Sequence, residues 1–96
     1  MRISEFQQLI ENIYFERDRA RGSNGTFVWF VEEVGELAKA LARPGPDGGK
    51  NLREEFADVL AWLSTLASIA GVDLEASALE KYQNGCPKCK ATPCVC

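Results

Sequence analysis

Histidine is missing from all 96 residues, and with it go the imidazole base, the Ser-His and Cys-His nucleophile systems and every zinc site with a histidine ligand. Hydrolysis by this chain would have to run on carboxylates and a metal ion. Cysteine is absent until the last eleven residues, which hold all four, so no disulfide framework spans the domain. No apolar run approaches the roughly 18 residues needed to cross a bilayer. The N-terminus MRISEFQQLIENI is amphipathic and acidic, without the basic head and plain apolar stretch of an export signal. The expected setting is cytosolic, with no membrane partner. Positive charge is also short: 11 Lys and Arg against 14 Asp and Glu give a net charge of -3. That lacks the basic footprint needed to grip a phosphate backbone, and nucleic acid is not an expected partner.

What is present is ordinary globular material, 46% hydrophobic and 26% charged, which argues against disorder. A chain this short makes one domain with a thin core, and small domains commonly oligomerise to bury more surface. Ser4 and Gln7 have capping-box spacing, and Ile3, Phe6, Leu9, Ile10, Ile13 and Tyr14 keep helical spacing, which predicts a first helix from about Ser4 to Arg19. RGSNGT is expected to end it. A second helix from Thr26 would carry Phe27, Phe30, Val31, Val34, Leu37, Ala38 and Leu41 on its apolar side and Glu32, Glu33, Glu36 and Lys39 on the other. RPGPDGGK, residues 43–50, cannot continue a helix and makes a hairpin loop. Asn51 then caps a third helix, Gly71 stops it, and Asp73 caps a short fourth helix to about Tyr82. The predicted fold is all-α, a small bundle of about four helices over residues 1–84, followed by a separate Cys-rich tail at 85–96.

Two acidic pairs flank the hairpin. Glu33 and Glu36 lie in EEVGE, Glu55 and Asp58 lie in EEFAD, and 18 residues separate Glu36 from Glu55. Spacing of i,i+3 puts each pair on one helix face. Two such pairs meeting across a hairpin offer four hard oxygen ligands, the environment that Mg²⁺ or Mn²⁺ selects. Solvated surface acids are the bland alternative for any single pair, but like charges brought together on neighbouring helices destabilise them unless a cation neutralises the cluster. Trp29 and Trp62 lie near the acidic stripes. Each serves either the core or a subunit interface, or, for Trp62 one turn beyond Asp58, stacking on a base.

The order EEVGE, gap, EEFAD resembles the signature of the MazG-like nucleoside triphosphate pyrophosphohydrolases, an EExxE followed by ExxD. The resemblance implies an all-α fold and hydrolysis of a nucleoside triphosphate, often a deoxy or damaged one, to the monophosphate and pyrophosphate. It implies Mg²⁺ ligands at Glu33, Glu36, Glu55 and Asp58, with Glu32 orienting or deprotonating the attacking water. A homodimer or homotetramer, with the nucleotide pocket completed by a second subunit, is implied as well. Lys39, Lys50, Arg53 and Lys81 are candidates to finish the grip on phosphate, each weighed against an ordinary surface charge, with Lys39 and Arg53 nearest the acids. An alternative of a different class is a small helical interaction module that uses its acidic face and its clipped tail to bind a protein.

The tail CPKCKATPCVC carries a CxxC at Cys86 and Cys89 and a CxC at Cys94 and Cys96. Four thiolates can surround Zn²⁺ tetrahedrally, and structural zinc is the leading expectation beside disulfides and free thiols.

Overall fold

After Ala42 two prolines and three glycines interrupt the helical sequence, and the chain reverses there. A computed structural model describes residues 1–96 and resolves them into α1 (Ile3–Ala42), α2 (Lys50–Ile69) and α3 (Leu74–Tyr82), without strands. The all-α class matches the expectation. The helix count is three, not four, because RGSNGT does not form a loop. Its residues stay helical on both sides of one break, Gly22, whose φ of 80° and ψ of 174° lie in a region essentially reserved for glycine. The Thr26 hydroxyl, fully buried, donates to the Gly22 carbonyl at 2.7 Å and so ties the next turn to the break.

Helix boundaries follow local chemistry, with two corrections. At the start of α1 the cap is Arg2, whose backbone N–H donates to Glu5 Oε1 at 2.9 Å. Gln7, the expected partner of Ser4 in a capping box, is buried instead. Its amide donates to Ser68 Oγ and the Val72 carbonyl, and its Oε1 accepts from the Leu74 backbone, so one side chain ties α1 to the α2–α3 turn. At the start of α2 the cap is Gly49 rather than Asn51, and the Asp47 carboxylate accepts from the backbone N–H groups of Gly49 and Asn51. Helix α2 ends with Gly71 left-handed and the Val72 N–H returning to the Ala67 carbonyl at 2.8 Å, a Schellman closure. Asp73 caps α3 by accepting from Ala76, and α3 leaves the line of α2 by 97°.

Packing also departs from the hydrophobic pattern. Fully buried apolar residues are few, Ile10, Ala40 and Ala67, and the interior is partly polar: Gln7, Asp18, Thr26, Ser64 and Thr65 are buried too. The stripe Phe27, Val31, Val34 and Leu41, expected to face the core, is exposed, as are Phe56, Leu60 and Leu63 on α2. The two helices instead meet along Thr26, Trp29, Glu33 and Ala40 on α1 and Glu55, Trp62 and Thr65 on α2. No single helix is long and apolar enough to cross a membrane.

Candidate functional site

Antiparallel pairing of the second half of α1 with α2 brings three of the four expected metal ligands into one cluster. Carboxylate oxygens of Glu33, Glu55 and Asp58 all lie within 4.8 Å of one another. Glu33 and Glu55 are half-buried and Asp58 is exposed, so the cluster opens to solvent on one side. Glu36 stands one turn along α1, its Oε1 3.5 Å from Lys39 Nζ, and shares with Glu55 the lining of a shallow cavity of about 590 Å³. Glu32 is exposed beside Glu33.

Electrostatics mark the cluster as incomplete by itself. Burial, and then the negative charges of Asp58, Glu55, Glu32 and Glu36, push the Glu33 carboxyl above its ordinary value of 4.5. Glu55 Oε2 is buried with no hydrogen-bond partner. A buried carboxylate oxygen left unpaired costs free energy, and crowded acids raise the cost further. A divalent cation removes both penalties at once. The donor set, carboxylate oxygens without nitrogen or sulfur, fits Mg²⁺ or Mn²⁺.

Beside the acids, Ile10, Tyr14, Arg17, Asp18, Arg21, Asp58, Ala61, Trp62 and Thr65 line a second cavity of about 260 Å³. The first half of α1 supplies the wall opposite α2. Asp18 holds this wall in place: its carboxylate accepts from Thr65 Oγ1 across the helix pair and from Arg21 Nη1, both at 3.0 Å. The Arg21 guanidinium lies 5.0 Å from the Trp62 ring centroid, and Trp62 stacks on Trp29 with centroids 6.1 Å apart. Sequence reasoning missed Arg17 and Asp18, which fall in the tail of the predicted first helix, and Arg21, which opens the RGSNGT segment expected to end it. The buried charge of Asp18 has no signature in spacing alone, since its partner Thr65 is 47 residues away.

The remaining expected contacts are dispersed. Lys39 pairs with Glu36. Arg53 turns back to donate to the Gly48 carbonyl at 3.1 Å, and Lys81 lies over the Tyr82 ring on α3, so neither joins the acidic trio. The four cysteines gather at the end of the chain, where backbone N–H groups of Val95 and Ala91 pull the Cys89 thiol down to about 6.

Comparison with known proteins agrees with this geometry. No curated protein matches the chain. A family model described as the MazG nucleotide pyrophosphohydrolase domain matches residues 22–90, a span that runs from the break in α1 through both acidic motifs and beyond α3. An all-helical chain with those motifs paired across a hairpin, matched over most of its length, belongs to the MazG nucleotide pyrophosphohydrolase domain family.

Proposed function

We propose that this protein hydrolyses nucleoside triphosphates, deoxy or non-standard ones included, to the monophosphate and pyrophosphate in a reaction that depends on a divalent metal ion. The observation that carries the reading is the convergence of Glu33, Glu55 and Asp58, with one oxygen of Glu55, Oε2, buried and unpartnered. These three side chains, with Glu36 completing the set from the next turn of α1, would hold Mg²⁺ or Mn²⁺. Held there, the ion would supply the positive charge that a polyphosphate needs beside the carboxylates and that the leaving pyrophosphate needs as it departs.

The chain's own groups divide the remaining work. Glu32, exposed next to the cluster, accepts the proton of the attacking water. Arg17 and Arg21 border the cavity that opens beside Asp58, and they and Lys39 contact phosphate oxygens. Trp62 offers an apolar wall to the nucleoside. At about 260 Å³ that cavity falls just below the roughly 300–1,000 Å³ usual for ligand pockets, so one chain encloses part of a nucleotide and a second copy completes the pocket.

A second copy is also what the outer faces of the hairpin call for. Phe27 and Phe56 are 54% and 53% exposed, and with Val31, Val34, Leu41, Leu60 and Leu63 they form apolar stripes with nothing over them. Contiguous apolar surface of this kind marks association. The assembly is a homodimer, or a homotetramer built from it.

A panel of canonical and modified NTPs and dNTPs, incubated with Mg²⁺ or Mn²⁺ and resolved for products, tests the activity. Monophosphate plus pyrophosphate is expected. Release of orthophosphate would place cleavage at a different bond and overturn the reading. The competing idea of a binding module predicts no metal-dependent product at all, with or without Glu36→Gln.

A further inference from the structure

The last twelve residues lack the means to fold by packing. Between Gly85 and Cys96 no residue is buried, and Val95 is 75% exposed. Yet the segment has a defined path. Gly85 N–H donates to the Tyr82 carbonyl, Cys86 N–H to Ala91 O at 3.1 Å, and Lys90 N–H to Cys86 O at 2.7 Å, which closes a tight loop around Pro87 to Cys89. Lys90 is the one residue other than glycine with positive φ, at 63°. Gly85, with φ 95°, permits the fold-back, since a Cβ there would sit 2.7 Å from Thr92 Oγ1 and 2.9 Å from Ala91 O.

The outcome of this path is sulfur geometry. All four Sγ atoms lie within 4.8 Å of one another. Cys86 and Cys96 are 3.8 Å apart and Cys89 and Cys94 are 3.9 Å apart, two edges that share no atom. Tetrahedral zinc with Zn–S bonds of about 2.3 Å has S···S edges of about 3.8 Å. Disulfide sulfurs would lie about 2.05 Å apart, and neither pair is bonded. Backbone N–H groups of Val95 and Cys96 point at Cys89 Sγ and Cys94 Sγ, each at 3.4 Å, donors of the outer-shell kind that support a metal-bound thiolate.

We propose that Cys86, Cys89, Cys94 and Cys96 bind one Zn²⁺ as a closed, structural S₄ site that folds residues 85–96. Soft thiolates select zinc over the hard ions that suit the acidic cluster, so the chain carries two metal sites sorted by donor chemistry. All four coordination positions are filled by protein, which leaves none for substrate. Binding exchanges the thiol protons for the metal: the four cysteines become thiolates, their protons leave to solvent, and no electron is transferred. Lys88 and Lys90, within and just after the CxxC, offset the double negative charge of the filled site. Because nothing apolar holds the segment, metal binding and its folding are one event.

The test uses the full chain, purified with reduced thiols. One zinc per chain by elemental analysis is expected, and cobalt(II) replacing it should give thiolate charge-transfer bands with the d–d bands of a tetrahedral centre. Cys89→Ser should weaken zinc by more than the roughly 10–100-fold that loss of an outer-shell partner costs, whereas Glu55→Gln should leave zinc content unchanged. Zinc that stays with Glu55→Gln but leaves with Cys89→Ser separates this site from the proposed catalytic one. Failure of the reduced protein to take up zinc or cobalt, or a mass showing the native protein oxidised to two disulfides, would overturn the proposal.

Discussion

At the residue scale the molecule is governed by unpaired negative charge. Glu33 has its carboxyl raised above 4.5 by burial and four neighbouring acids, so in the metal-free protein the folded state holds its proton after the unfolded chain has released it. The sign follows from linkage: this contribution is complete below about the unfolded value, and stability falls as pH rises through the window just above it. Chemical denaturation of metal-free protein across that window should show the fall, and Mg²⁺ should cancel it by binding the deprotonated cluster of the folded state alone. Glu33→Gln should remove this part of the pH dependence and raise the metal-free denaturation midpoint at pH above that window. Glu55→Gln should keep the helical circular-dichroism signal, since it removes one of the negative charges crowded around Glu33, yet lower kcat for pyrophosphate release by at least about 100-fold, the order of a lost electrostatic contact to the transition state.

At the element scale, one glycine decides how α1 divides its work. Gly22 lets the first half supply the Asp18–Arg21 wall while the second half presents Glu33 to α2. Any other residue at φ 80°, ψ 174° is strained by about 1–3 kcal/mol. Gly22→Ala should therefore lower the denaturation free energy by about that amount, read from urea midpoints at an unchanged m-value. Asp18→Asn removes the charge that Thr65 and Arg21 both address. A hydrogen bond to a charged group is worth about 1.5–3 kcal/mol, and Arg21, left behind, is partly exposed, so a clear drop in thermal midpoint is the expected readout.

At the scale of the whole molecule, the chain leaves much of its apolar surface uncovered. Half-buried Glu33, Glu55 and Trp62 stand in the seam of the hairpin, while Phe27, Val31, Val34, Phe56, Leu60 and Leu63 are exposed. A monomer built this way buries little apolar surface and gains little hydrophobic stabilisation. Phe27→Glu combined with Leu60→Glu should dissociate the proposed homodimer in sedimentation or light scattering, with a concentration-dependent loss of thermal stability. If the protein sediments as a monomer before substitution, the outer stripes do not serve a second copy.

Composition and spacing alone determined the all-α class, the hairpin at the Pro-Gly loop, the caps at Gly71 and Asp73 and the pairing of EEVGE with EEFAD, because each depends on residues close in sequence or on a helical repeat. The absence of histidine likewise excluded imidazole chemistry. Tertiary structure decided the rest. Hydrophobic periodicity identifies an apolar face but not what it faces, and here Phe27, Val31 and Val34 stay exposed while Glu33 and Glu55 are half-buried. The expected RGSNGT loop shrank to one non-helical residue, Gly22, and contacts across 47 and 61 residues drew Asp18 to Thr65 and Gln7 to Ser68. Such partners are set by how helices lie in space, which no local repeat encodes.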